Sequence, residues 1–277
     1  MADFAQCGAT LNETLGINNG QGTSVGTAVT SSATIYVKGA YSQIAAATSF
    51  DSSLALIYIY RHDSTPTFMV DIAIGPPGSE QIIAANLFTR GQSATETYGR
   101  YLLPICIPAG SRISARVSSN TTGAQFIYVT VTLFGSGFSQ PPAFGGVELI
   151  TNISIGGVEV ASQNLNSTGG VETAWLGHNA NPTPRDYKAI SIFMSGYCPG
   201  GIVLLGVVDF ALGPSGSEVP FLTDIAVVMD PTSAGKSEVI GPLPIPIPAG
   251  SRVSTRIMYH TTGHAANYLI CGIYGFY

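Results

Sequence analysis

Residues Pro104 to Gly135 read PICIPAGSRISARVSSNTTGAQFIYVTVTLFG, and Pro244 to Gly275 read PIPIPAGSRVSTRIMYHTTGHAANYLICGIYG. The two align without a gap at an offset of 140, with 15 of 32 positions identical. A second pair lies upstream: DIAIGPPGSE from Asp71 and DFALGPSGSE from Asp209, offset 138, with seven of ten identical. Two matches in the same order at nearly the same offset mark a tandem duplication, and only two copies fit the chain. Each PAGS string is followed by Arg-x-Ser-x-Arg, so Arg112 and Arg116 recur as Arg252 and Arg256. Arg112, Ser114 and Arg116 alternate with Ile113, Ala115 and Val117, the period of two that gives a strand one polar and one apolar face.

Outward from this repeat the pattern stays β. Leu54 to Tyr60 is LALIYIY and Phe68 to Ile74 is FMVDIAI, short apolar runs bounded by the turn residues HDSTP and GPPGSE. The second copy answers with KAISIFM from Lys188 and IVLLGVVDFAL from Ile202. No segment sustains a helical period with caps at its ends. Seven or eight short strands per unit predict an all-β chain built as a tandem duplication of a β-sandwich, jelly-roll-like domain. The expected boundaries are 1–137 for the first sandwich, 138–146 for a Gly/Pro-rich linker holding Pro141 and Pro142, and 147–277 for the second. Residues 1 to about 30 are rich in Gly, Asn, Ser and Thr and have no counterpart in the second copy, so they are expected to form an arm ordered by what it touches.

Composition narrows the function. Of 277 residues 45% are hydrophobic and 10% charged, which excludes a disordered chain and a coiled coil. The surface must then be clothed in Ser, Thr, Asn, Gln and Gly, which suits lasting contact with copies of itself or with a partner. Net charge is −5 with three lysines, so no basic stripe exists to hold nucleic acid. No run of 18 apolar residues is present to span a membrane, and MADFAQCGATLNE lacks the pattern of a secretory signal. The cysteines, Cys7, Cys106, Cys198 and Cys271, show no CxxC spacing and are expected as buried thiols in a protein made in a reducing cytoplasm.

Strings that suggest chemistry have simpler readings. Gly22 to Gly26 matches GxSxG, but no strand precedes it and no helix follows, as a nucleophile elbow requires. Ala234 to Ser237 resembles the end of a phosphate loop, yet Asp230 stands where that loop needs glycine. His260 and His264 flank a turn, and the first copy has Asn120 and Ala124 in their place, so no metal is expected. Four sequons, at Asn12, Asn120, Asn152 and Asn166, are expected of so Ser/Thr-rich a chain. The single tryptophan, Trp175, falls near Tyr41 of the first copy and is expected in a core rather than as a sugar platform.

The carboxylates Asp71 and Asp209, and Glu80 and Glu218, persist in both copies. Paired carboxylates can hydrolyse glycosides. A simpler role is to meet the repeated arginine pairs, inside the subunit or across an interface. Arg112, Arg116, Arg252, Arg256, Asp71, Asp209, Glu80 and Glu218 are therefore structural or interface candidates, with no catalytic, cofactor-binding or metal-binding residue among them.

The string IPIPAGSRVSTR, ahead of a TTG turn and an apolar last strand, resembles segments of tailed-bacteriophage virion structural proteins. That resemblance covers the repeated region of each half. It implies a non-enzymatic virion protein without cofactors, assembled in the bacterial host cytoplasm and homo-oligomeric. Its partners would be other capsid or tail proteins, with an accessory decoration or cement role on the capsid first. The alternatives are a tail or fibre component, or a carbohydrate-binding module that recognises a receptor glycan.

Overall fold

Strands without helices make up the described parts of the chain, and the apolar alternation read above accounts for most of them. The computed structural model describes residues 12–17, 26–61, 66–90, 97–135, 144–150, 163–164, 171–177, 182–197, 204–229, 238–259 and 268–277. The chain divides into two compact units, Met1–Glu148 and Leu149–Gly275, leaving aside its last two residues.

In the first unit the strands are β1 (Asn12–Leu15), β2 (Thr27–Thr30), β3 (Ser42–Ala45), β4 (Ser52–Arg61), β5 (Thr67–Ile74), β6 (Gln81–Arg90), β7 (Thr97–Leu103), β8 (Ile113–Ser119), β9 (Phe126–Gly135) and β10 (Val147–Leu149). One sheet runs β1-β9-β4-β7 with β2 also on β9, and the facing sheet runs β6-β5-β8-β3. Inward positions on the first sheet, Ile57, Ile59, Val129 and Val131, are wholly buried, as are Ala115 and Val117 on the second. Outward positions on β4 include Tyr58, 38% exposed. On β5 both faces are buried, because Asp71 and its neighbours are covered from outside as well.

The second unit holds β11 (Gln163–Asn164), β12 (Leu176–Gly177), β13 (Ala189–Tyr197), β14 (Leu204–Leu212), β15 (Val219–Met229), β16 (Glu238–Leu243), β17 (Val253–Tyr259) and β18 (Tyr268–Phe276). Its sheets run β16-β13-β18 and β12-β17-β14-β15. Strand for strand this repeats β7-β4-β9 and β3-β8-β5-β6. Its core gathers Ile192, Met194, Phe210, Ile257 and Ile273 among others.

Turn chemistry repeats too. Gly75 and Gly78 take φ of 110° and 83°, and Gly213 and Gly216 take 123° and 82°. A side chain would be strained in this region, which is why DIAIGPPGSE and DFALGPSGSE keep both glycines. A β-bulge recurs as well: Val70 pairs with Leu87 but Ile72 with Ala84, and Val208 pairs with Ile225 but Phe210 with Leu222. The extra residues, Asn86 and Asp224, sit at φ of 57° and 56°.

The described parts of the N-terminal arm lie on the first sheet: β1 and β2 pair antiparallel with β9, whose free backbone groups an added strand satisfies. The expected boundary needs correction: Phe144, in the segment expected as a linker, pairs with Ile105, and Val147, expected to open the second sandwich, pairs with Ala84 of the first unit. Residues 138–143 of the expected linker lie outside the described residues, as do Cys7, Cys198, His260, His264, the Ala234–Ser237 string, Gly22 to Val25, Asn152 and Asn166.

Candidate functional site

On the outer side of the second sheet of the first unit, Asp71 on β5 stands directly opposite Arg116 on β8. Arg116 Nε donates to Asp71 Oδ2 at 2.8 Å, and the Asn86 amide at the bulge donates to Oδ1 at 2.9 Å. The bulge thus aims an N–H that a regular ladder would use between strands. Lys38 Nζ reaches the same Oδ1 at 2.9 Å and also donates to Met69 O. The chain before β3 runs along β8, with Gly39 N–H donating to Val117 O, and so lays Lys38 and Tyr41 over the pair. The Tyr41 ring lies 4.8 Å from Arg116 Cζ, a cation–π contact. Burial pulls the Lys38 ammonium below the ordinary lysine range, while the Asp71 charge and hydrogen bond draw it back up.

The second unit rebuilds this arrangement with one sign changed. Arg256 Nε donates to Asp209 Oδ2 at 2.8 Å, and the Asp224 amide donates to Oδ1 at 2.7 Å. Trp175 replaces Tyr41, 4.5 Å from Arg256 Cζ. Thr173 N–H donates to Ile257 O where Gly39 bonded Val117, which puts Glu172 in the place of Lys38. Glu172 accordingly pairs with Arg256 NH1. The first cluster holds two cations and one anion, the second one cation and two anions. Trp175 is a lid on an arginine, half-buried, rather than part of a central core.

The arginine pairs do not act as pairs. Residues i and i+4 of a strand stand ~13 Å apart, too far to share one carboxylate. Arg112 therefore bonds Glu80 Oε1 at 3.2 Å and Gly75 O at 3.1 Å, and Arg252 bonds Glu218 Oε1 at 3.1 Å and Gly213 O at 3.3 Å. Each glutamate also accepts from a turn amide, Gly78 or Gly216, at 2.8 Å. Burial pushes both carboxyls upward, but their own amides, the turn amide and the arginine together hold them below the ordinary glutamate range. The face carrying Arg112, Ser114 and Arg116 is polar as read, yet it is covered: Ser114 is wholly buried.

Beside these ion pairs the two units carry matching open grooves between the GPxGSE and PAGSR turns. The first, about 570 Å³, is lined by Pro76, Pro77, Gly110 and Arg112. The second, about 610 Å³, is lined by Pro214, Phe221, Gly250 and Arg252. Their arginines are already engaged by backbone and glutamate, which leaves apolar walls and hydroxyls. No group of three His, Cys, Asp or Glu among the described residues could hold a metal. No helix among them is long and apolar enough to cross a membrane. All eight candidate residues read from the sequence thus fall into four ion pairs within the chain. Lys38, Glu172 and the bulge amides were missed, since few positions match near them in the two copies, Thr34/Thr168, Val37/Val171 and Ala40/Ala174 around the first two.

No family model matches the sequence, and no curated protein matches it. Among solved structures, PNGase F (N-glycanase F) is similar at 8% identity and TM-score 0.34, over 96% of this chain and 94% of that one. PNGF-II gives 11% identity and TM-score 0.31 over 85% of this chain, which spans 58% of that protein. The CBM22-1–CBM22-2 tandem domain of Paenibacillus barcinonensis Xyn10C gives 11% and 0.25, over 96% and 91%. Likeness at this level bears on neither activity nor ligand.

Proposed function

We propose that this chain is a non-enzymatic structural protein of a tailed-bacteriophage virion, an accessory decoration or cement component that binds and stabilises the capsid. One observation carries the non-enzymatic part: the carboxylates and arginines kept by both units neutralise one another inside each unit. Asp71 and Asp209 hold an arginine and a bulge amide, and Glu80 and Glu218 hold an arginine and a turn amide. A hydrolytic pair would instead be poised toward open space with its two carboxyls differently tuned. The low-charge, hydroxyl-rich surface supports association with copies of the chain and with virion partners. The virion placement rests on the short-motif resemblance of the PAGSR region.

The test is purification of particles from cells producing this protein, followed by quantitative mass spectrometry and imaging. Stoichiometric retention on the capsid surface is the expected result. Density on the tail instead would move the protein to a tail or fibre role. Absence from particles would overturn the reading.

A further inference from the structure

The outward face of the sheet β1-β9-β4-β7 differs in kind from the covered ion-pair face. Tyr58 and Tyr60 project from β4 with rings stacked 6.4 Å apart and 12° from parallel. Leu102 on β7 is 51% exposed and stands opposite Leu56, while Tyr58 is 38% exposed and stands opposite Arg100. Thr14 and Thr132 bring a bonded pair of exposed hydroxyls to the next row. Arg100 is exposed and is the single charge among the described residues that share this side, and it makes no ion pair with a described residue. Leu102 and Tyr58 thus bring apolar surface to solvent beside Arg100.

Nothing in the shared scaffold requires it. In the second unit the position of Tyr58 belongs to Phe193, 1% exposed, whose cross-strand neighbour is Val239 rather than an arginine. The exposed tyrosine and its arginine are therefore features of one copy, not of the sandwich.

We propose that this face binds a carboxylated saccharide, with a sugar ring stacked on Tyr58, its carboxylate held by Arg100 and its hydroxyls met by Thr14 and Thr132. A pyranose has an apolar C–H face and a polar rim, which fits flat rings beside hydroxyl groups. The charge decides among occupants. A guanidinium that meets no carboxylate among the described residues is complementary to an anion, and its fork matches a carboxylate. A symmetric contact with a second copy across this face would bury two copies of Arg100, and the described residues of the face offer no carboxylate to meet either, which is costly. The inference does not depend on residence in a virion.

The experiment uses the full chain and titration calorimetry with four probes: oligogalacturonate, hyaluronan and alginate oligosaccharides, and sialyllactose, each beside its methyl ester. The expected result is binding of at least one acid, weakened about tenfold or more by methyl esterification, by Arg100→Gln and by Tyr58→Ala. Arg100→Lys should restore part of the loss. The variants should stay folded, with the circular dichroism of the parent, since Arg100 is exposed and Tyr58 lies at the sheet surface, 38% exposed. Failure of all four acids, equal binding of acid and ester, or undiminished binding by both variants would overturn the proposal. So would a dimer, seen by sedimentation, that Tyr58→Ala dissociates, because the face would then belong to a second copy.

Discussion

Removing Arg256 should damage its unit more than removing Arg116 damages the other, although the two residues occupy the same place in the repeat. Asp209 has a side chain 4% exposed and is held by Arg256 and the Asp224 amide. Arg256→Ala leaves that buried carboxylate with a single amide, and breaking a buried pair in this way costs ~3–5 kcal/mol. Glu172, 38% exposed, returns to solvent at little cost. Asp71 is equally buried, but in Arg116→Ala it keeps both Lys38 Nζ at 2.9 Å and the Asn86 amide. Its charge stays compensated, so the loss should be ~1–3 kcal/mol, that of hydrogen bonds to a charged group. At about 1.4 kcal/mol per factor of ten, Arg256→Ala should raise the local opening constant by roughly two to nearly four powers of ten. Hydrogen exchange read by mass spectrometry on peptides from β14 and β17, against β5 and β8, reports each unit separately. Global midpoints of a two-domain chain do not. Equal deprotection in the two variants, or a larger effect for Arg116→Ala, would refute the reasoning. Loss of oligomer mass with exchange unchanged would place the arginines at an interface instead.

Acid should act through Glu80 and Glu218. Their folded carboxyls titrate below the ordinary 4.5, so their contribution is complete above that value and is lost as pH falls through the folded one. The double variant Glu80→Gln, Glu218→Gln should therefore lose less of its melting midpoint than the parent between pH 6 and 3, as a pH series of thermal scans would reveal. Burial raises the Cys271 thiol to about 12, whereas Cys106 is exposed. Iodoacetamide should accordingly modify Cys106 in the native protein and spare Cys271 until denaturant is added, read by peptide mapping. At the bulges, Asn86→Val and Asp224→Val place a β-branched residue at positive φ and should each cost ~1–2 kcal/mol in urea unfolding, while Asn86→Gly should be nearly neutral.

The sequence alone determined the all-β class, the duplication and the glycine turns, because these rest on local rules. Alternation of Ile113, Ala115 and Val117 can bury only one side of a strand, and Gly75 or Gly213 at positive φ tolerates no side chain. It also marked the residues of the ion pairs, since identity across an offset of 138 to 140 singles out Asp71, Glu80, Arg112 and Arg116 from a chain poor in charge. Pairing was beyond it. Which carboxylate meets which arginine depends on strand neighbours far apart in the chain, and only the β5–β8 register sets Asp71 against Arg116 while the hairpin turn brings Glu80 to Arg112. The bulge at Asn86, the exchange of Lys38 for Glu172, and the capture of β1 by β9 leave no local signal, because each is fixed by what a distant strand leaves unsatisfied. The same holds for the surface: the spacing of Tyr58 and Tyr60 reads alike whether the face is covered or open, and only the packing of sheet on sheet leaves it facing solvent with Arg100 beside it.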